Sequence, residues 1–265
     1  MKKLVVLTGA GISAESGIST FRDAGGLWEG YDVNEVATPE GFAANPELVL
    51  DFYNQRRRQL KEVEPNEAHR LLAHLEKRFH VVVITQNVDD LHERAGSQHI
   101  IHLHGELLKS RGVDDPYTTY PCTGDIHIGD KSPTGAQLRP DIVWFGEEVP
   151  MLDKAIEEVY TADVLMVIGT SLQVYPAAGL MDYRREGIPV FYIDPNPSLH
   201  SKGDLTVIAQ KASTGVAKAI EHQPSQISQT GCSTILKQLQ TYELHQLVVP
   251  IHNQYPLQLS NHEKQ

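Results

Sequence analysis

The stretch Leu4-Val5-Val6-Leu7-Thr8-Gly9-Ala10-Gly11-Ile12-Ser13 decides the fold of this chain. The apolar run over residues 4–7 predicts a buried parallel strand. A glycine-rich turn that follows such a strand and leads into a helix offers bare backbone N–H groups to a pyrophosphate. Gly9 and Gly11 permit a close approach that a Cβ atom would block. The spacing, Gly-x-Gly and then five residues to Gly17, departs from the usual dinucleotide fingerprint, so an ordinary strand–helix turn is the alternative.

Apolar, β-branched runs recur along the chain, and helical stretches separate them. Strands that alternate with helices predict a mostly parallel α/β sheet. The predicted strands cover residues 4–7, 81–85, 164–168 and 190–193. The predicted helices cover residues 46–63, 66–78, 151–160 and 177–186.

Two regions interrupt this alternation. Residues 110–140 are rich in Gly, Asp, Pro and Thr and lack periodicity, which predicts an insertion outside the sheet. Residues 21–65 form a second excursion after the glycine turn, and together the two regions predict a smaller lobe with a cleft between it and the sheet. After residue 221 the composition shifts to Gln, Ser and His. We therefore predict a catalytic domain over 1–222 and a C-terminal extension of unknown structure over 223–265.

Composition and charge limit the class of protein. With 40% hydrophobic and 22% charged residues, the chain has the composition of a soluble globular protein. The net charge of −11 disfavours nucleic acid as a partner, because no basic stripe is available to neutralise phosphates. The two cysteines, Cys122 and Cys232, do not resemble a disulfide framework, and no apolar run approaches the roughly 20 residues that a membrane span needs. We therefore expect a cytoplasmic protein with no membrane partner.

Polar side chains follow the predicted strand at 81–85. Gln86, Asn87 and Asp89 supply amide donors, acceptors and one fixed charge. They lie at the carboxyl end of a strand, which is where ligands bind in open α/β sheets. Such groups suit ribose hydroxyls and a carboxamide. The alternative is structural, with Asn87 or Asp89 capping the segment that follows.

Two histidines, His102 and His104, lie at strand spacing, so that both side chains point to one face. Histidine is the natural general base near neutral pH. A metal pair and a purely structural histidine are the alternatives, although no partner ligands stand at zinc-like spacing in the sequence. A further turn of small residues, Gly169-Thr170-Ser171, follows the predicted strand at 164–168 and is either a nucleotide contact or a tight turn.

Taken together, these motifs resemble the sirtuin family of NAD-dependent protein lysine deacylases. The matching segments run in family order over roughly residues 3–220, and the ordered set is highly specific. They are Gly9-Ala10-Gly11-Ile12-Ser13, Ser16-Gly17-Ile18 with Phe21-Arg22, Gln86-Asn87-Val88-Asp89, His104-Gly105, Arg139-Pro140 with Phe145-Gly146-Glu147, and Gly169-Thr170-Ser171.

The resemblance implies a Rossmann-type parallel sheet with helices on both faces and a smaller inserted module, with NAD and acyl-lysine meeting in the cleft. It assigns NAD contacts to residues beside the pyrophosphate, the adenosine, the reacting ribose and the carboxamide. In chain order these are Gly9, Ala10, Gly11, Ile12, Ser13, Phe21, Arg22, Gln86, Asn87, Val88, Asp89, Gly169, Thr170, Ser171 and Asp194. Asp194 stands where many sirtuins carry an asparagine near the adenosine ribose, and it could accept from ribose hydroxyls instead.

The same resemblance implies that His104 is the general base. In the sirtuin reaction the acyl oxygen attacks the ribose carbon as nicotinamide leaves. A ribose hydroxyl, deprotonated with help from the base, then attacks the resulting imidate. The products are free lysine, nicotinamide and O-acyl-ADP-ribose. The segment Val143-Trp144-Phe145-Gly146-Glu147 would pair with the substrate backbone as an added strand.

Tyr53 and Arg56 refine the expected substrate. Residues three apart share a helical face, so both side chains can point into one pocket. The pair resembles the Tyr-x-x-Arg of sirtuins that accept succinyl or malonyl groups, because Arg holds a carboxylate through two charge-assisted bonds and Tyr adds a third. The alternative places Arg56 in an exposed basic run with Arg57 and Arg58. Acetyl-lysine stays open as a second substrate.

The chain departs from many sirtuins in the small module. Those proteins hold zinc with two Cys-x-x-Cys pairs, whereas residues 110–140 contain only Cys122. His127 and several Asp residues are nearby, but soft ligands in tetrahedral number are missing. We predict no structural zinc, NAD as the co-substrate, acylated proteins or peptides as partners, and a monomer.

Other functions on this scaffold make different predictions. An NAD glycohydrolase or ADP-ribosyltransferase would form ADP-ribose products without acyl-peptide. A non-catalytic NAD-binding module would have no need for a base at His104. A hydride-transferring dehydrogenase shares the fold class but does not fit His104 together with Gln86 and Asn87.

Overall fold

In a computed structural model of the chain, residues 3–8 form an inner strand of a six-stranded parallel sheet, as the opening stretch predicts. The structure describes residues 1–19, 27–28 and 30–221, with the backbone alone at 27 and 28. Phe21, Arg22 and the extension 223–265 lie outside the described residues. The division of the chain at residue 222 therefore stays a prediction.

Strands and helices alternate along most of the chain. The strands are β1 (Lys3–Thr8), β2 (Leu27–Trp28), β3 (Tyr31–Asp32), β4 (His80–Thr85), β5 (Ile100–His102), β6 (Gly105–Gly112), β7 (Thr119–Pro121), β8 (Leu138–Ile142), β9 (Val164–Ile168), β10 (Val190–Ile193) and β11 (Leu205–Ile208). The α-helices are α1 (Val33–Val36), α2 (Pro39–Ala44), α3 (Pro46–Leu60), α4 (Glu67–Leu75), α5 (Leu91–Ala95), α6 (Leu152–Tyr160) and α7 (Ala212–Glu221). Segments of 3₁₀ helix cover Ala10–Ile12, Ala14–Ser16 and Ala177–Tyr183.

The parallel sheet has the strand order β11-β10-β9-β1-β4-β5, which confirms the predicted α/β class and all four predicted strands. Val5 and Leu7 of β1 pack in one apolar cluster with Ala155 and Val159 of α6. Helices α4 and α7 contact the sheet through β4 and β10. Among the described helices, none is both long enough and apolar enough to cross a bilayer.

The predicted insertion contains a small antiparallel sheet of order β7-β6-β8. Residues 110–140 therefore lie outside the parallel sheet, as predicted, although strands β6, β7 and β8 form where the sequence shows no periodicity. Arg111 on β6 and Arg139 on β8 are buried, so charged residues occupy positions that hydrophobic alternation would fill. Both arginines pair with Glu147, which lies outside both strands. The apolar alternation that would predict these strands is therefore absent from the sequence.

Two predicted helices differ from the observed elements. The glycine turn leads into two short 3₁₀ segments rather than an α-helix, because Gly9 is extended and Gly17, at φ 93°, ends the second segment in the left-handed region. The segment predicted at 177–186 is also a 3₁₀ helix, which ends where Arg184 becomes extended. Helix α3 begins as expected for Pro46 at its first position, with the Asn45 side chain accepting from Leu48 N–H.

Candidate active site

The turns that follow β1 and β9 pack directly on each other. The Gly11 N–H donates to the Gly169 carbonyl at 2.8 Å. A Cβ atom on Gly11 would lie 2.6 Å from the Gly169 Cα, and Gly169 itself has a φ of +62°. Glycine is therefore required at both positions for the contact between the turns. This contact brings two of the predicted ligand-binding turns together at the edge of the sheet that is formed by the carboxyl ends of its strands.

The turn after β4 joins the same edge through Ser13. The Ser13 hydroxyl donates to Asp89 Oδ2 at 2.9 Å, and the Asn87 amide donates to Ser13 Oγ at 3.0 Å. The other oxygen of Asp89 accepts at 3.2 Å from the N–H of Leu91, the first residue of α5, although the N-cap residue of that helix is Asp90. Burial raises the pKa of Asp89, while the bonds from Ser13 and Leu91 and the charge of His102 act in the opposite direction.

The turn after β9 is connected to its neighbours by Thr170. The Gln86 amide donates to Thr170 Oγ1 at 3.2 Å, and the Tyr192 hydroxyl donates to the Thr170 carbonyl at 3.0 Å. Asp194, at the end of β10, is buried and accepts from Asn196 N–H at 2.9 Å. The residues predicted beside the adenosine thus lie at the same edge as those predicted beside the nicotinamide.

A cleft of about 1250 Å³ opens over this edge, between the sheet and the smaller lobe. Most of the predicted site residues within the described part of the chain line it. They are Gly9, Ala10, Gly11, Ser13, Tyr53, Arg56, Gln86, Asn87, Val88, Asp89, His104, Val143, Trp144, Phe145, Gly146, Glu147, Gly169, Thr170, Ser171 and Asp194. Ile12 is fully buried beneath the turn and is not part of the lining.

His104 lies in the cleft with one ring nitrogen fixed. Its Nδ1 is 3.1 Å from the Gln86 carbonyl, and because a carbonyl only accepts, Nδ1 carries the proton. The lone pair of the neutral ring is therefore on Nε2. Burial lowers the pKa of His104, and the carbonyl contact only partly opposes this effect. The ring is accordingly a neutral base at pH 7, as general-base chemistry requires.

The segment after β8 lies along the rim of the cleft. Val143 N–H donates to the His104 carbonyl and Phe145 N–H donates to the Ala37 carbonyl, both at 2.9 Å. The Phe145 side chain is 47% exposed. These bonds fix the segment next to the base and leave an apolar ring on its open side.

Glu147 fixes the same segment through its carboxylate. It accepts from Arg139 Nη1 at 2.6 Å, from Arg111 Nη2 at 3.1 Å and from Trp144 N–H at 2.8 Å. Burial acts to raise the pKa of Glu147, but the bonds and charges of the two arginines and the Trp144 N–H outweigh it, and the pKa lies below its usual value. Arg111 and Arg139 support the site. The sequence does not reveal this role for Arg111, because Glu147 is 36 residues away along the chain, whereas Arg139 and Glu147 belong to one of the motifs that carry the family resemblance.

Helix α3 directs Tyr53 and Arg56 toward the cleft. Tyr53 is completely buried, and its hydroxyl oxygen accepts from Trp144 Nε1 at 3.0 Å. The Arg56 guanidinium lies over the Phe52 ring, with Cζ 4.6 Å from the ring centroid. The exposed basic run expected as the alternative does not exist, because Arg57 is only 1% exposed.

Asn54 and Arg57, also on α3, do not face the cleft; they hydrogen-bond to the backbone of the smaller module at Ile126 and Leu107. The Asn54 side chain donates to the Ile126 carbonyl and accepts from Ile126 N–H, both at 2.9 Å. Arg57 donates to Asn54 Oδ1 at 2.8 Å and to the Leu107 carbonyl at 2.9 Å. Nothing in the local sequence distinguishes these two residues from Arg56, so sequence reasoning missed them.

The donor set of the module does not fit a structural zinc ion. Cys122 is the single cysteine in this region, and its Sγ is 3.5 Å from the Gly124 carbonyl. Tetrahedral zinc needs four soft or borderline ligands. Within the described residues, the one cluster of possible metal ligands, Glu93, His102 and Glu106, lies at the sheet edge and not in this region.

Known proteins resemble this chain in both sequence and structure. A family model described as the Sir2 family matches residues 9–176. A protein of Bacteroides thetaiotaomicron named NAD-dependent protein deacylase is 58% identical over 223 residues, covering 82% of this chain and 95% of that protein. The crystal structure of a Sir2 homologue–NAD complex is 41% identical with a TM-score of 0.75, covering 86% of this chain and 91% of that chain. A mutant Sir2 homologue in complex with 2'-O-acetyl ADP ribose is 40% identical with a TM-score of 0.74, covering 86% and 94%.

Proposed function

Because the chain belongs to the Sir2 family and is an NAD-dependent protein deacylase, we propose that it prefers succinyl- and malonyl-lysine to acetyl-lysine. The observation that carries this proposal is the presence of Tyr53 and Arg56 in the cleft that also contains His104. A negatively charged acyl group needs a cation and a neutral donor at the end of its pocket, and these two side chains supply them.

The chemistry of the pair suits a terminal carboxylate. Arg56 offers a planar guanidinium that binds a carboxylate through two parallel charge-assisted bonds. Burial raises the pKa of Tyr53, so the phenol stays protonated at pH 7 and remains a donor. Trp144 uses an acceptor position of the same hydroxyl and thereby limits the directions in which the O–H can point. An acetyl group has no terminal carboxylate, so it cannot accept these bonds from Arg56 and Tyr53.

In this proposal NAD is bound by the three turns at the sheet edge. NAD supplies the ribose carbon that the acyl oxygen attacks, and nicotinamide leaves. Asp89 has lone pairs beyond those used by Ser13 and Leu91, and these suit the carboxamide N–H groups. Asn87 and Gln86 suit the ribose next to it, and Thr170, Ser171 and Asp194 suit the adenosine side. Ile12 supports the turn from beneath. By family resemblance alone we place Phe21 over the reacting ribose and Arg22 beside the cofactor loop.

We assign the general base to His104. Its Nε2 accepts the proton of a ribose hydroxyl, while Nδ1 stays bonded to the Gln86 carbonyl. Acyl-lysine, NAD and water are converted overall to lysine, nicotinamide and O-acyl-ADP-ribose. The complex of a related Sir2 homologue with 2'-O-acetyl ADP ribose supports a product of this type. The rim segment 143–147 would bind the substrate backbone, with Phe145 over the peptide.

The smaller module lacks the ligand set of a zinc site. We propose that the module is held by its own packing on Asn54 and Arg57 rather than by zinc, which the donor set around Cys122 supports. The monomeric state and the cytoplasmic location stay predictions.

Mass spectrometry of one peptide carrying succinyl-lysine or acetyl-lysine, with and without NAD, tests the reaction. We expect NAD-dependent release of lysine with one nicotinamide and one O-succinyl-ADP-ribose for each succinyl group removed. His104→Tyr, with an unchanged circular dichroism spectrum, is the inactive control. Consumption of NAD to ADP-ribose without loss of either acyl group would favour the glycohydrolase function and contradict the proposal.

A further inference from the structure

His102 and His104 hold two consecutive carbonyl groups of the loop after β4. His104 Nδ1 is 3.1 Å from the Gln86 carbonyl, and His102 Nδ1 is 3.2 Å from the Asn87 carbonyl. The two rings therefore make the same contact one residue apart. The proposed mechanism uses His104 as the base and leaves His102 without a role.

The second ring nitrogen distinguishes the two histidines. His102 Nε2 is 2.8 Å from Glu93 Oε1, on α5. Both ring nitrogens of His102 thus face groups that only accept. A neutral imidazole has one N–H, so only the imidazolium donates to the Asn87 carbonyl and the Glu93 carboxylate together. The His102 side chain is 9% exposed, which shields these bonds from water.

The charged groups around His102 favour the imidazolium. Glu106 Oε1 on β6 is 4.0 Å from Nε2, and Lys109 pairs with that same carboxylate. Asp89, in the loop, and His92, on α5, also interact electrostatically with the ring. Burial lowers the pKa of His102, but the bond and charge of Glu93, the charge of Glu106 and the Asn87 carbonyl raise it above its usual value. The ammonium of Lys109 already supplies a positive charge beside Glu106, so we do not propose a metal ion there.

We propose that His102 is a positioning residue that, as an imidazolium held by Glu93, fixes the Asn87 carbonyl and with it the loop that carries Asn87 and Asp89. This inference rests on the proposed function, which places NAD against that loop. The charge of His102 also favours the ionised form of Asp89. The strand end thus carries two histidines with opposite tasks, a cation that holds the loop and a neutral base that takes a proton.

The test is the pH dependence of kcat/KM for NAD in wild type, His102→Gln and Glu93→Gln. We expect the wild-type value to fall as the pH rises through the pKa of His102, because the neutral ring no longer donates to both partners. Glu93→Gln should move this fall to lower pH. His102→Gln should remove it and raise KM for NAD about tenfold, the effect of losing one charge-assisted hydrogen bond. His99→Gln, on an exposed histidine that precedes β5, is the matched control.

The inference would be overturned if His102→Gln keeps the wild-type KM for NAD and the wild-type fall of kcat/KM at alkaline pH. If that variant does not fold, an unmoved alkaline limb in Glu93→Gln overturns it equally, since Glu93 is exposed and its replacement leaves the core intact. Asp89→Asn tests the underlying assignment separately. A raised KM for NAD in Asp89→Asn with wild-type behaviour in His102→Gln overturns only the role of His102. An unchanged KM in Asp89→Asn overturns the placement of NAD at this loop, and the role of His102 with it.

Discussion

The indole N–H of Trp144 donates a hydrogen bond of 3.0 Å to the hydroxyl oxygen of Tyr53. Both side chains are buried, so water does not compete for this bond. Arg139 lies over the indole with Cζ 3.2 Å from the ring centroid, and its guanidinium is bonded to Glu147. The rim segment that would bind the peptide is therefore linked to the helix that carries the proposed acyl pocket. Selectivity for the acyl group should depend on this link.

Trp144→Phe tests the link, because it keeps an aromatic ring but removes the N–H. We expect kcat/KM for a succinyl peptide to fall about five- to tenfold, the effect of one lost buried hydrogen bond. The fall for an acetyl peptide should be smaller, since acetyl does not use the Tyr53 hydroxyl. The double variant Trp144→Phe/Tyr53→Phe should lose little beyond Tyr53→Phe alone. Equal losses on both peptides in Trp144→Phe would contradict the link.

The lowered pKa of His104 should determine the acidic limb of the pH dependence of kcat/KM. A base with a lowered pKa stays neutral to a more acidic pH than ordinary histidine, and it loses activity as the pH falls through that value. The acidic limb of kcat/KM should therefore have its midpoint below about 6.5. His104→Gln should reduce kcat by about 10²–10⁴-fold at any pH. A midpoint at or above the pKa of free histidine would be inconsistent with the buried, neutral base.

Two buried histidines beneath the site make the fold sensitive to acid. Burial and the charge of Arg70 lower the pKa of His69 to about 4, and burial and the neighbouring His69 and His102 lower that of His92 well below its usual value. The rings lie 4.8 Å apart, and neither His69 Nε2 nor His92 Nδ1 has a hydrogen-bond partner among the described residues. The unfolded chain binds protons below pH about 6.5 and the folded chain does not, so stability is complete above that pH and falls toward pH 4.

For His69 alone this effect amounts to about 3 kcal/mol of unfolding free energy between pH 6.5 and pH 4. Urea unfolding at pH 8, 6.5, 5 and 4 measures it. His69→Gln should show a smaller fall over this range than wild type, whereas His99→Gln, an exposed control, should follow wild type. The same fall in all three proteins would exclude His69 as its source.

The module should be insensitive to chelators. Asn54 makes two hydrogen bonds to the Ile126 backbone and accepts one from buried Arg57. Asn54→Ala leaves these groups unsatisfied and should cost about 2–4 kcal/mol of unfolding free energy. Wild type treated with EDTA should keep its melting temperature and should contain no stoichiometric zinc by elemental analysis. Stoichiometric zinc, or a chelator-dependent loss of stability, would show that a metal holds the module.

Local patterns predicted the parallel sheet and the turns of the site. Each of the four predicted strands is a short apolar run, and Gly11, Asn87 and Thr170 lie in the turns that follow three of them. Strand ends of a parallel sheet lie at one edge, so the sequence order alone brings these turns together.

The environment of individual arginines and histidines could not be predicted in this way. Arg56 lines the cleft, while adjacent Arg57 is buried against Asn54, and helical periodicity alone does not tell which face meets the cleft. His102 is the last residue of β5 and His104 lies beyond it, so the predicted shared strand face does not exist, and Glu93, on α5, pairs with only His102. The strands of the module were missed because buried arginines, paired with Glu147, interrupt their apolar pattern.

We propose that Arg56 selects a negatively charged acyl group, and the ratio of kcat/KM for succinyl and acetyl peptides competing in one reaction measures this most directly. Wild type should favour succinyl. Arg56→Met should lower kcat/KM for succinyl about 10- to 100-fold and that for acetyl much less, so that the ratio falls. Arg58→Met, an exposed arginine on the same helix that pairs with Asp125, should keep the wild-type ratio. A wild-type preference for acetyl, or equal losses on both peptides in Arg56→Met, would contradict selection of the acyl group by Arg56.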